Sequence, residues 1–240
     1  SLIGICLLLD LLFWRPKEER AALKAIDELK SDDATPKLKD MVGLLKIKVL
    51  WQIIFFVMFS WTCYNVFDQQ MFPEFYTSLF SSNAVGQQTY GTLNSIQVFV
   101  EALMLGLVPL LMKKIGVRKT LLLGTAIMCL RIGLCGFITD PIVISGVKML
   151  HSLEVPLSIF RYFTLHFDTK LSATLYMIGF QIAAQVGQVI LSTPLGILRD
   201  NMGYSMTFKI IALIVLLTGI YGFFIIKKDN EFVNGQPLEK

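Results

Sequence analysis

Six ionisable side chains, Asp68, Glu101, Arg131, Lys148, His151 and Glu154, interrupt stretches of sequence that are otherwise long and apolar. A charge at the centre of a bilayer costs about 2.5–3.5 kcal/mol on insertion scales, so six of them spread over neighbouring spans cannot all face lipid. They must face one another or a watery cavity. Lys148, His151 and Glu154 recur every third residue. On an α-helix, at about 100° per residue, that spacing confines them to a stripe of about 120°. One helix face then carries a base, a titratable ring and an acid. Pro156 follows, where a kink can bend the chain or free backbone carbonyls. Ion pairs that do no more than join helices are the plainer alternative for such a set.

Charge counting favours the functional alternative. The set holds three carboxylates (Asp68, Glu101, Glu154) against two permanent cations (Arg131, Lys148). With His151 neutral, full ionisation leaves one uncompensated negative charge, and burial favours the neutral acid. One carboxyl is therefore expected to hold a proton at rest, which a nearby cation can expel. That is the chemistry of a proton-coupled carrier of a polar solute. A His and a Glu three residues apart also suit a helical metal pair, but neither a third ligand nor a second such motif accompanies His151 and Glu154. No metal or cofactor is expected. Neither HExxH nor GxSxG occurs, so the sequence does not support an enzyme.

The elements that must position these residues are membrane helices. Of the 240 residues, 54% are hydrophobic and only 17% charged, against the roughly 25% charged residues of a soluble domain. The apolar runs approach 20 residues, the length that crosses a hydrocarbon core of about 30 Å, and they lack barrel alternation. Six full spans are expected near Val49–Tyr76, Tyr90–Met112, Thr120–Ile138, Ile142–Phe163, Ser172–Leu198 and Tyr204–Ile226. The four cysteines, Cys6, Cys63, Cys129 and Cys135, fall inside apolar runs and are expected to pack rather than pair. Residues 1–14 are mid-hydrophobic with no initial Met, as at the end of a helix that begins earlier, so the chain reads as part of a longer protein. Residues 15–48 form a polar connector, with an amphipathic helix at Glu18–Leu29 that is expected to be a solvated linker.

Lys and Arg set the topology. They crowd the connector, the joint at Lys113, Lys114, Arg118 and Lys119, the stretch holding Arg161 and Lys170, and the tail at Lys227 and Lys228. Thr77–Thr89 and Thr139–Pro141 carry none, and Arg199–Gly203 carries one. That alternation suits six crossings with the basic loops and residues 227–240 on the cytoplasmic side.

Three segments carry a family resemblance: Asn65-Val66-Phe67-Asp68-Gln69-Gln70, the string from Lys148 through His151 and Glu154 to Pro156, and Leu171-Ser172-Ala173-Thr174. They resemble the oligosaccharide–proton symporters of the major facilitator superfamily, and Gly116-Val117-Arg118-Lys119 resembles that superfamily's basic loop signature. The resemblance implies an all-α membrane fold. It makes residues 1–14 the end of helix six, residues 15–48 the central cytoplasmic loop, and residues 49–226 the C-terminal six-helix bundle, helices seven to twelve. It implies a bacterial inner-membrane carrier that moves a disaccharide with a proton by alternating access. The partner is an N-terminal six-helix half that supplies the other wall of the cavity. Without that half, the 240 residues are expected neither to transport nor to bury their polar face stably.

The same resemblance assigns roles. Glu154 would carry the proton, Arg131 would help it leave, and His151 would link sugar recognition to protonation. Asp68 and Lys148 would form a structural ion pair. Glu101, His151 and Gln181 would meet the sugar. Lactose-type members place an aspartate at Asn65, paired with a lysine at Ala184, and an acid at Val98 rather than at Glu101. Loss of both pair members together is coherent, since losing one would strand a charge. These positions, with Leu93–Val98 and Ile190–Pro194, resemble the sucrose-transporting members. Another glycoside such as lactose or raffinose, or a non-transporting sugar receptor with the same fold, remains the alternative.

Overall fold

The computed structural model describes residues 48–154, 157–166 and 175–230. The expected partial span 1–14, nearly all of the connector, Leu171–Thr174, Val155–Pro156 and the end of the tail lie outside the described residues. Among the described residues every regular element is a helix. Helix α1 (Lys48–Asn65) runs through one π-helical stretch, Val66–Met71, into α2 (Phe72–Ser78). Next come α3 (Asn83–Ile115), α4 (Val117–Phe137), α5 (Pro141–Met149) and α6 (Leu157–His166). A second π stretch, Met177–Ile182, leads into α7 (Ala183–Ile225).

Length and hydropathy make Leu50–Ser78, Asn83–Ile115, Val117–Phe137 and Met177–Ile225 fit to cross a membrane. The last runs 49 residues. At 1.5 Å per residue it is about 74 Å long, more than twice a bilayer core. It is in fact two spans, because Gly203 breaks the helix with φ 76° and ψ 171°, a conformation that glycine adopts without a Cβ penalty. Gly116, at φ 92°, makes the equivalent tight joint between α3 and α4.

Two expectations about elements need correcting. Thr77–Thr89 does not form a loop throughout, because helix resumes at Asn83 and α3 is much longer than Tyr90–Met112. Gly86 permits this, since a Cβ there would stand 2.8 Å from the Thr77 carbonyl oxygen. The fourth span, expected as a continuous helix over Ile142–Phe163, is broken. Asp140 caps α5 by accepting from the Ile142 and Val143 amides, and Pro141 occupies the first turn. The helix then tightens to a 3₁₀ turn at Leu150–Leu153, and Glu154 is extended, at φ −86° and ψ 93°.

Helix α7 packs most heavily on α1 and α4. Small residues bring α1 and α7 close, because Ala183 and Ala184 are buried and a Cβ on Gly187 would clash with the Thr62 hydroxyl. One apolar cluster gathers Phe67, Phe72, Phe75, Ile132, Phe208 and Val215, and a second gathers Leu50, Phe56, Leu121, Tyr162, Phe163 and Phe180. By contrast, α3 buries little more than Gly86, Gln97 and Val108.

Candidate functional site: a buried ionic network

Asp68, His151 and Glu154 sit at departures from regular α-helix, whereas Glu101, Arg131 and Lys148 sit on α-helices. Asp68 lies in the π stretch between α1 and α2, where the wider turn changes the direction of the side chains that follow. Arg131 sits in α4, fully buried despite its size. Lys148 ends α5, while His151 and Glu154 belong to the 3₁₀ turn and its C-cap. A 3₁₀ turn has three residues per turn, so positions three apart eclipse one another. His151 and Glu154 thus share a side as expected, through the tighter turn rather than an α-helical stripe.

Arg131 is the hub. Its Nε donates to Glu154 Oε1 at 2.6 Å, its Nη2 to Oε2 at 3.1 Å, and its Nη1 to Asp68 Oδ1 at 2.9 Å. This fork matches the planar guanidinium to a carboxylate and is the strong form of such a pair. The guanidinium also lies 5.3 Å from the Tyr64 ring centroid and 5.1 Å from that of Phe67. Lys148 stands 3.7 Å from Asp68 Oδ1, and no hydrogen-bond acceptor reaches its Nζ. It rests over the rings of Phe72, at 4.7 Å, and Tyr90, at 5.2 Å. The expected Asp68–Lys148 pair is present, but Arg131 is the nearer cation.

His151 joins this core to a more open acid. Its Nδ1 is 3.3 Å from Glu154 Oε2, and its Nε2 is 3.7 Å from Glu101 Oε2. The Tyr64 ring stacks on the imidazole at 5.3 Å and 8°, with its hydroxyl 3.0 Å from Nδ1 and 3.1 Å from Nε2. The hydroxyl has one proton and can donate it to whichever nitrogen carries the lone pair. Glu101 retains 32% exposure, whereas the Arg131 and Glu154 side chains are sealed at 0%. Beside Glu154, a cavity of about 20 Å³ lined by Ser60, Trp61 and Thr125 is large enough for a single water.

This arrangement refines the charge count. Asp68, Glu154, Arg131 and Lys148 form a set that is neutral when all are ionised. The surplus negative charge falls on Glu101, the most exposed acid of the network. A guanidinium can only donate, and its fork meets both Glu154 oxygens as acceptors.

Gln181 is not brought to this network. It lies exposed in the second π stretch, and its Nε2 donates to the Tyr176 hydroxyl at 3.4 Å. Tyr64 was missed in the sequence, although its place four residues before Asp68 on one helix was the available signal. Asn65 is half-buried and Ala184 is buried, with the Thr62 hydroxyl donating to the Ala184 carbonyl at 3.3 Å. Among the described residues, no group of three His, Cys, Asp or Glu side chains could hold a metal.

The fold and site define a multi-pass helical membrane protein with an acid–base network built into its bundle. The chain belongs to the LacY proton/sugar symporter family, whose model matches residues 1–237. That family is one of transporters, not enzymes. The chain is 43% identical to a sucrose permease of Escherichia coli over 212 residues, which are 87% of this chain and 51% of the relative. It is 32% identical to a raffinose permease of the same organism, over 96% of this chain and 55% of the relative. A lactose permease of Klebsiella oxytoca is 31% identical over 93% of this chain and 55% of the relative. The chain thus spans about half the length of the curated relatives it matches.

Proposed function

We propose that this chain is the proton-handling half of a carrier that moves a disaccharide, sucrose, together with a proton by alternating access across a bacterial inner membrane. Its partner is an N-terminal six-helix half, and residues 227–240 face the cytoplasm with the other basic segments. The observation that carries the proposal is the unbroken chain of contacts from half-open Glu101 through His151 to sealed Glu154 and Arg131.

In this scheme Glu154 takes the proton. Protonation removes one acceptor from the Arg131 fork, and Arg131 turns to Asp68, which it already contacts. Deprotonation restores the fork. Sugar hydroxyls donate to Glu101 and exchange hydrogen bonds with His151, altering the contact that reaches Glu154. Lys148 steadies Asp68 while Arg131 moves. Gln181, exposed on its own helix, meets the sugar through a polar amide. Two features support sucrose: the joint absence of the acid at Asn65 and the base at Ala184, and the similarity to the sucrose permease.

The test is sugar-induced alkalinisation of the medium by cells carrying the full-length protein. Glu154→Gln is expected to lower sugar-linked proton uptake about 100-fold or more, while equilibrium counterflow continues. Normal proton uptake in this variant sinks the assignment. Counterflow against sucrose, raffinose, lactose and melibiose decides the sugar, and saturable binding without any counterflow favours the receptor alternative.

A further inference from the structure

The cavity of about 20 Å³ beside Glu154 is lined from three elements: by Ser60 of α1, by Thr125 of α4 and by Glu154 itself, after the 3₁₀ turn. All three residues are buried. The two hydroxyl protons are committed elsewhere. Ser60 Oγ donates to the Phe56 carbonyl at 2.5 Å, and Thr125 Oγ1 donates to the Leu121 carbonyl at 3.0 Å. Both bonds reach four residues back, the way a helix satisfies a hydroxyl internally. What each oxygen retains is the capacity to accept. A space of roughly 10–15 Å³ or more holds a water when two to four polar groups serve it. Two hydroxyls and a carboxyl meet that condition, while Phe56 and Leu121 supply apolar wall.

The direction of these bonds separates the two forms of Glu154. A water that donates to both hydroxyl oxygens has no proton left to give and keeps its lone pairs. It suits a protonated Glu154, whose O–H needs an acceptor, better than an ionised one, which needs donors. The ionised form is already served, by Arg131 Nε at 2.6 Å and Nη2 at 3.1 Å. A guanidinium cannot accept, so it cannot serve the O–H of the neutral acid. His151 Nδ1, 3.3 Å from Glu154 Oε2, is shared with the Tyr64 hydroxyl at 3.0 Å. Asp68 is engaged by Arg131 at 2.9 Å, Lys148 reaches Asp68, and Glu101 reaches His151.

We propose that Ser60 and Thr125 position a water that accepts a hydrogen bond from Glu154 when it is protonated, so that the guanidinium and the water serve the two states of one acid in turn. Both are positioning residues, acting on Glu154 through the water. This rests on the reading of Glu154 as the proton carrier, and adds what receives its O–H once Arg131 turns to Asp68.

The test is an infrared titration of the purified full-length protein without sugar. It follows the C=O band of protonated Glu154, assigned by its loss in Glu154→Gln. Thr125→Val and Ser60→Ala are each expected to lower the pH midpoint of that band by about 0.5–1 unit, roughly a threefold to tenfold loss of proton affinity. Thr125→Ser restores the hydroxyl and should return the midpoint to the wild-type value. Thr207→Val removes another buried hydroxyl that donates four residues back, to the Gly203 carbonyl at 2.8 Å, and should leave the midpoint unchanged. Unchanged midpoints in both Thr125→Val and Ser60→Ala give the O–H to another acceptor, such as His151, and overturn the water site. An equal fall in Thr207→Val overturns it as well. Absence of the band from the wild type at every pH overturns the reading of Glu154 as proton carrier, and the water site with it.

Discussion

Arg131 and Lys148 are equally sealed, each with a side chain at 0% exposure, yet they are held in opposite ways. Arg131 spends three N–H groups on two carboxylates and stacks on two rings. Lys148 has one ion pair at 3.7 Å, no hydrogen bond to its Nζ, and two aromatic faces beneath it. The planar guanidinium can satisfy two acids at once and be reoriented between them, whereas the ammonium acts as a point charge. Burial alone therefore does not distinguish the working cation from the supporting one. Hydrogen-bond geometry does.

Four substitutions in the full-length protein test that contrast, the largest effect first. Arg131→Met leaves sealed Glu154 and mostly buried Asp68 without their main partner, and breaking such a pair typically costs about 3–5 kcal/mol. A lowered unfolding midpoint and loss of uphill sugar accumulation should accompany it. A variant as stable as the wild type would end the view of Arg131 as hub.

Lys148→Met should cost less than about 2 kcal/mol, because Asp68 keeps its 2.9 Å bond to Arg131. Adding Asp68→Asn should bring the cost back towards zero, measured as a double-mutant cycle by chemical unfolding. If Lys148→Met proved as damaging as Arg131→Met, the distinction between the two cations would fail. Smallest is Tyr64→Phe, which removes one hydroxyl from His151 and should cost about 0.5–1.5 kcal/mol. Isothermal binding should then show sugar affinity falling by about tenfold at most, with coupling retained.

Much of the fold was legible in the linear order of residues. Apolar runs announced the helices, because a bilayer demands about 20 apolar residues per span. The breaks were not legible. The sequence around Leu150–Glu154 reads as an uninterrupted helical stripe, yet it tightens and ends there. Nor does anything in Val66–Met71 announce a π stretch. Such departures are stabilised by the neighbours that receive the redirected side chains, here Arg131 and Tyr64 from other positions in the chain.

The network's membership was also legible, since any ionisable group within an apolar run must find company. Asp68, Glu101, Arg131, Lys148, His151 and Glu154 do meet, as that cost requires. Gln181 carries no charge, so no comparable penalty drew it to them, and it stands apart. The sequence by itself thus determined which groups must be together and that one acid would be in surplus. Only the tertiary structure decided which cation holds which acid, and that Glu101 keeps the solvent contact. Those choices depend on angstrom-scale distances between helices, set by how side chains of α1, α4 and α7 pack, and residue spacing along one chain does not encode them.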